Sequence, residues 1–331
     1  MLVIVLAMIV DFLRVLVRVT VARWRRGPLR PGWSFSTELT QAVMRSTMMR
    51  SKAHDLRWLR EATARAPRTD RVLRHVSFEP VDAGGVPAVW CRAKGRPAPT
   101  RTLLYLHGGG YVIGSPEGQG HAELIAHLAI QAEARVLAPD YRLAPEHRFP
   151  APQEDAIAAY RWLLDTGVDP GRLAVGGDSA GGALAVATLL QARHAGDALP
   201  AAVLLICPWT DPLAAGGSME ENSFCDFGDR DLLVGWIRAH LDGADAAHPL
   251  VSPVNADLAG LPPTLVLWGG AEILRDQIRA FVGRAEAAGV EVTALEWEDM
   301  FHDWVLFATP VAEARPAIAR LADFLRRRVK D

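Results

Sequence analysis

Short apolar runs alternate with longer amphipathic stretches along most of this chain, and the two periods are easy to separate. Thr102–Leu106, Arg135–Ala138, Leu173–Gly176, Ala202–Cys207, Thr264–Trp268 and Glu291–Glu296 have strand length and composition. Residues 119–132, 152–165, 180–194, 274–288 and 310–328 carry apolar positions at helical spacing. Strands that are apolar on both faces and alternate with helices predict a mainly parallel sheet covered on two sides, an α/β fold. Ahead of this series, Leu73–Phe78 and Val86–Cys91 flank the turn Asp82-Ala83-Gly84-Gly85 and predict an antiparallel edge pair. Residues 209–255 break the rhythm with Gly-, Asn-, Asp- and Pro-rich loops around one helix near 229–241, and an interruption of that length reads as a lid. Residues 1–70 read as helices broken at Gly27-Pro28 and Pro31-Gly32. The expected organisation is therefore an amino-terminal helical region, 1–70, and a main domain, 71–331, with its insertion at 209–255.

The first ten residues, MLVIVLAMIV, are wholly apolar; Asp11, Arg14 and Arg18 then fall on one helical face, and Arg23, Arg25 and Arg26 follow as a basic cluster. No positive charge precedes the run and no small-residue cleavage site follows it, which argues against a secretory signal. Ten residues are also short of the roughly 20 that a spanning helix needs. Residues 1–26 are expected to form an amphipathic helix that either lies on a membrane interface or caps an apolar site of its own protein. The expected location is cytoplasmic, with membrane association if this segment takes the first of those two roles.

Composition excludes more than it selects. Half of the 331 residues are hydrophobic, enough apolar surface to exclude intrinsic disorder. With 36 Lys+Arg against 38 Asp+Glu, the chain has no electrostatic footprint for nucleic acid. Cys91, Cys207 and Cys225 are odd in number and far apart, so they form neither a CxxC pair nor a disulfide framework and read as reduced thiols.

Chemistry begins at Gly177-Asp178-Ser179-Ala180-Gly181. This G-x-S-x-G directly follows the strand Leu173–Gly176 and directly precedes an Ala/Leu-rich helix, the context in which it forms a nucleophile elbow. A serine that merely caps a helix is the competing reading; a phosphate cradle would need a following Gly-Lys-Ser/Thr, which is missing. His107-Gly108-Gly109-Gly110 follows the strand Thr102–Leu106, and successive glycines can turn backbone N–H groups toward an oxyanion. Gly108 and Gly109, joined by Ala180, are the expected donors. Of ten histidines, His302 alone lies beyond the strand Glu291–Glu296, where a base would follow its acid. Two acids compete after Thr264–Trp268: Glu272, nearer the strand end, is preferred over Asp276. The order Ser179, Glu272, His302 is that of α/β-hydrolases.

HGGG, GDSAG and the stretch Asp140-Tyr141-Arg142-Leu143-Ala144-Pro145-Glu146 through Phe149-Pro150-Ala151 together resemble the hormone-sensitive lipase family of α/β-hydrolases, in its bacterial esterase branch, over residues 72–331. The resemblance implies an eight-stranded, mostly parallel sheet and a Ser-His-acid triad without cofactor or metal. It also implies a cap built from amino-terminal helices and the insertion after the sixth strand, here 1–70 and 209–255. The implied partner is a small-molecule ester of short to medium acyl length, or a lactone, and members of this family are often homodimers. The stretch Asp140–Ala151 is implied to orient the oxyanion loop. One departure affects geometry: Glu272 stands where the family often has the first Asp of Asp-Pro-Leu-x-Asp. Trp209, Phe224 and Trp33, with Phe35, Phe227 and Trp236, are the aromatic residues available to line an acyl pocket or to pack the cap. Three rivals remain: a non-catalytic binding scaffold, an amidase or peptidase on the same fold, and a metal hydrolase using His121, Glu123 and His127, whose histidines are six residues apart rather than four.

Overall fold

The computed structural model describes residues 2–52, 56–64, 70–97, 99–118, 120–213 and 216–331, with side chains from residue 9 onward and without that of residue 64. The apolar tip read at 1–10 thus lies largely outside the described side chains. Eight strands form one sheet in the order β1-β2-β4-β3-β5-β6-β7-β8: β1 Val76–Asp82, β2 Pro87–Ala93, β3 Thr102–Leu106, β4 Arg135–Pro139, β5 Leu173–Asp178, β6 Ala202–Ile206, β7 Thr264–Gly269 and β8 Val292–Trp297. β1 and β2 form the antiparallel edge, and β4 through β8 run parallel with β3 among them. β3, β5, β6 and β7 are buried along their whole length, which is why their sequences lack polar alternation.

The first strand starts later than its apolar pattern suggests. Arg71–His75 is a 3₁₀ turn, because the Asp70 carboxylate accepts the Val72 N–H and winds the chain there. The strand then pairs from Val76↔Ala93 to Asp82↔Pro87 across the expected turn.

The amino-terminal region contains α1 Leu2–Arg26, α2 Phe35–Ser51 and α3 Leu56–Ala64; α4 His121–Gln131, α5 Ala151–Asp165 and α6 Ala180–Ala195 link the central strands. The insertion contributes α7 Ser218–Glu221 and α8 Arg230–Leu241, and α9 Arg275–Ala287 and α10 Ala314–Arg328 complete the chain. The step from β3 to β4 and the step from β4 to β5 run in opposite directions along the sheet, so right-handed crossovers place α4 on one face and α5 and α6 on the other. α10 packs against α4.

Polar pins join the amino-terminal helices to each other and to the insertion. Glu38, buried on α2, accepts Arg23 and Arg26 of α1 at 2.8 Å each and the Leu29 N–H at 3.1 Å. Arg30 donates to Asn222 at 3.0 Å, and Lys52 pairs with Asp229 at 2.6 Å. Arg60 of α3 donates to the Val112 carbonyl and pairs with Glu146. Among the described residues, no helix is long and apolar enough to cross a membrane.

Candidate active site

Ser179 sits in a backbone conformation that serine rarely adopts, φ 51° and ψ −120°, at the junction of β5 and α6. Neighbouring backbone holds it there. Its N–H donates to the Ile206 carbonyl at 2.8 Å, and its carbonyl accepts the Trp209 N–H at 2.9 Å. The flanking glycines are required by space: a Cβ on Gly177 or Gly181 would collide with the Leu106 carbonyl, and one on Gly181 also with that of His107. Residue 179 therefore projects its hydroxyl from the carboxyl end of the sheet, above the first turn of α6.

His302, in the loop after β8, reaches that hydroxyl. Its Nε2 lies 2.9 Å from Ser179 Oγ, while its Nδ1 lies 2.5 Å from Glu272 Oε2. Glu272 follows β7 and is fully buried; its other oxygen accepts the Gly269 N–H at 3.2 Å. Asp276 turns elsewhere, accepting the Ser218 N–H at 2.8 Å and pairing with Arg275 at 2.9 Å.

The glycine loop departs from expectation at one position. Gly108 directs its N–H inward, 3.3 Å from His121 Nε2, and so away from Ser179. Gly109 and Gly110 line the cavity instead, and neither their N–H groups nor that of Ala180 find an acceptor among the described residues. The reason is conformational: Gly109 and Gly110 both have positive φ, 114° and 61°, which rotates the peptide planes after Gly108. Tyr141 supports this loop by donating to the His107 carbonyl at 2.6 Å and stacking on the His107 ring at 4.2 Å.

A cavity of about 260 Å³ opens over Ser179. Trp209 lines it, as do Met44, Met48, Phe227, Leu232 and Trp236. Trp33 and Phe224 do not. Trp33 is buried edge-on against Phe301, with its indole N–H donated to the Asp299 carbonyl, so it packs the cap onto the His302 loop. Phe224 is solvent-exposed beneath the Arg30 guanidinium. The helix carrying His121, Glu123 and His127 sends them to three different partners: Asp178, the Gly120 N–H and Asp70. Among the described residues, Cys207, His302 and Asp303 are the trio of metal-type donors that converges, within 4.8 Å of one another; a cation there would take the nitrogen that faces Ser179.

The family model described as alpha/beta hydrolase fold matches residues 103–306. An acetyl-hydrolase of Streptomyces hygroscopicus is 45% identical over 252 residues, covering 74% of this chain and 81% of that protein. A crystal structure of a mutant of the esterase E40 superposes with a TM-score of 0.83 at 42% identity, covering 90% of this chain and all of the other. An esterase from the bacterial hormone-sensitive lipase family gives 0.76 at 40% identity over 97% of this chain and 98% of its own. This chain is an α/β-hydrolase of the hormone-sensitive lipase family.

Two acids of the hydrolase's site carry no recognisable motif. Asp226, buried in the insertion, accepts N–H groups from Phe227 at 2.7 Å, Ile273 at 2.8 Å and His302 at 3.3 Å, and so ties the cap to both the Glu272 and the His302 loops. Asp303 adopts a left-handed conformation, φ 53°, and places Oδ2 3.2 Å from His302 Nε2. Burial opposes a charged imidazole, but Asp303, then Cys207 and Glu272, outweigh it and raise His302 well above its ordinary value. Burial pushes Glu272 up to about 7 and Asp303 up to about 6, His302 restraining both. Asp178 responds oppositely. Burial alone would raise it, yet His121 and the Tyr105 hydroxyl, donated at 2.6 Å, hold it below the carboxylate range.

Proposed function

We propose that this hydrolase, a carboxylic ester hydrolase, cleaves short- to medium-chain acyl esters by two acyl transfers through Ser179. The observation that carries the reading is the unbroken path from Ser179 Oγ through His302 to Glu272, opening into an apolar cavity. His302 Nε2 accepts the serine proton as Oγ attacks the ester carbonyl, and Glu272 stabilises the imidazolium that forms. The N–H groups of Gly109, Gly110 and Ala180 receive the oxyanion, with the amino terminus of α6 adding its dipole. His302 then protonates the departing alcohol, and water attacks the acyl-enzyme by the same route in reverse. The cavity, about 260 Å³, falls just below the roughly 300–1,000 Å³ of ligand pockets, which suits a short acyl group. The acetyl-hydrolase relative supports the same choice. Peripheral contact with lipid through residues 1–26 belongs to this reading, because the helix they form packs on α2, whose Met44 and Met48 line the cavity.

The test is an acyl-length series of p-nitrophenyl esters on the full chain. Activity is expected to peak at short chains and to vanish in Ser179→Ala; turnover surviving that substitution would remove the proposal. Glu272→Gln is expected to lose on the order of 10³–10⁴ in kcat by misorienting the imidazole. Asp276→Asn should retain activity, and the reverse pattern would exchange the two acids.

A further inference from the structure

α1 has two apolar faces, and only one is covered. Val15 and Val19 are buried against Ala42, Leu39 and Val43 of α2. On the opposite side, at helical spacing, Leu13, Val17, Val21 and Trp24 are 52%, 62%, 42% and 84% exposed. One edge of that open face carries the exposed Arg14, Arg18 and Arg25, which make no ion pair among the described residues. The remaining charges of the helix are already committed: Asp11 to Ser46 and Arg50, and Arg23 and Arg26 to Glu38.

We propose that α1 lies in the plane of an anionic lipid surface, inserting Leu13, Val17, Val21 and Trp24 while Arg14, Arg18 and Arg25 meet the headgroups. The inference rests on reading residues 1–26 as a lipid contact and the site beneath as an esterase. Charge selects the occupant. A second copy packed on this face would set three uncompensated arginines against three more, with no acid on the face to offset them, whereas an anionic bilayer supplies the counter-charge. Among the described residues no helix is long and apolar enough to cross a membrane, and a charged edge beside an apolar face fits the in-plane arrangement. The consequence reaches the site: α2, which holds α1 on one side, presents Met44 and Met48 to the cavity on another. One helix layer, about 10 Å, therefore separates the lipid from the roof of the acyl pocket.

Full-length protein is mixed with vesicles of phosphatidylcholine alone, and with vesicles containing phosphatidylglycerol as well, and the bound fraction is read by co-sedimentation. Each arginine at an anionic surface is worth roughly fivefold in binding, so three should favour the anionic vesicles by on the order of a hundredfold at low salt. Added salt should weaken that preference. The variant L13S/V17S/W24S is expected to lose binding to both vesicles. R14Q/R18Q/R25Q, whose substitutions lie wholly in solvent, is expected to lose only the preference for anionic lipid. Both should hydrolyse a soluble p-nitrophenyl ester at the unaltered rate, so failure of the esterase reading would show separately, in the parent protein's own activity. Absent binding, binding indifferent to lipid charge, or a lipid-free dimer that the apolar variant dissociates would each overturn the proposal, the last by assigning the face to a second copy.

Discussion

Asp303→Asn tests how the base is tuned. The wild-type carboxylate lies 3.2 Å from His302 Nε2, the nitrogen that accepts the serine proton in the proposed mechanism, with both partners more than nine-tenths buried. An opposite charge so close moves a pKa by about one to three units. Protonated His302 donates Nε2–H to Asp303 and cannot act as a base, so activity should rise with pH only as that proton leaves. The substitution keeps shape, and asparagine tolerates the left-handed backbone of residue 303, so the fold should persist. Glu272 at Nδ1, Cys207 and Asp226 remain around the ring. The acid limb of kcat/KM should therefore move about one to three pH units lower in Asp303→Asn. The alkaline plateau should fall, because the imidazolium of the proposed mechanism would lose Asp303 as a counter-charge. Stability follows the same sign. A histidine raised on folding stabilises below its unfolded value, near 6.5, and loses that contribution as pH rises through the folded value. The stability difference between wild type and variant should accordingly shrink from acidic to alkaline pH. The profile is measured with a soluble ester in constant ionic strength buffers. An acid limb that stays in place would refute the role given to Asp303.

Three further outcomes follow from packing and hydrogen bonding. Trp236→Leu should shift the acyl-length optimum toward longer chains, because the indole lines the cavity and abuts Gly110; an unchanged optimum in the p-nitrophenyl series would place the acyl group elsewhere. Gly181→Ala should destabilise by about 1–3 kcal/mol or more, since its methyl meets the Leu106 and His107 carbonyls, which cannot rotate away; urea unfolding reads this directly. Tyr105→Phe should cost about 1–3 kcal/mol by depriving buried Asp178 of its donor, and should raise the Asp178 pKa, narrowing the acid range over which the protein stays folded.

Whatever depends on consecutive residues was legible before any coordinates. Strand-then-glycine-then-serine-then-helix is a local pattern, so the elbow at Ser179 and the strands around it follow from periodicity and sterics alone. Long alternation of apolar runs and helices implied the parallel sheet, and Asp82-Ala83-Gly84-Gly85 implied the hairpin at its edge. Even so, β1 begins at Val76 rather than Leu73, because one Asp70 side chain recruits the preceding residues into a turn. Strand propensity could not register that competition.

Tertiary structure decided everything that requires direction. Glu272 and Asp276 are only four residues apart, and only the path of the loop into α9 shows which meets His302 and which meets Ser218. A run of glycines states that N–H groups can turn but not where each points, and it is Gly109 and Gly110, not Gly108, that line the cavity. Trp33 and Phe224 are as aromatic as Trp209, yet burial against Phe301, exposure under Arg30 and position at the cavity wall separate them. Asp226 and Asp303 had no motif because their place at the site arises from contact with His302, whose loop, Glu272 and Ser179 come from separate segments. Local sequence determines which conformations a short segment can hold, whereas electrostatics and packing depend on separations that only the folded chain sets.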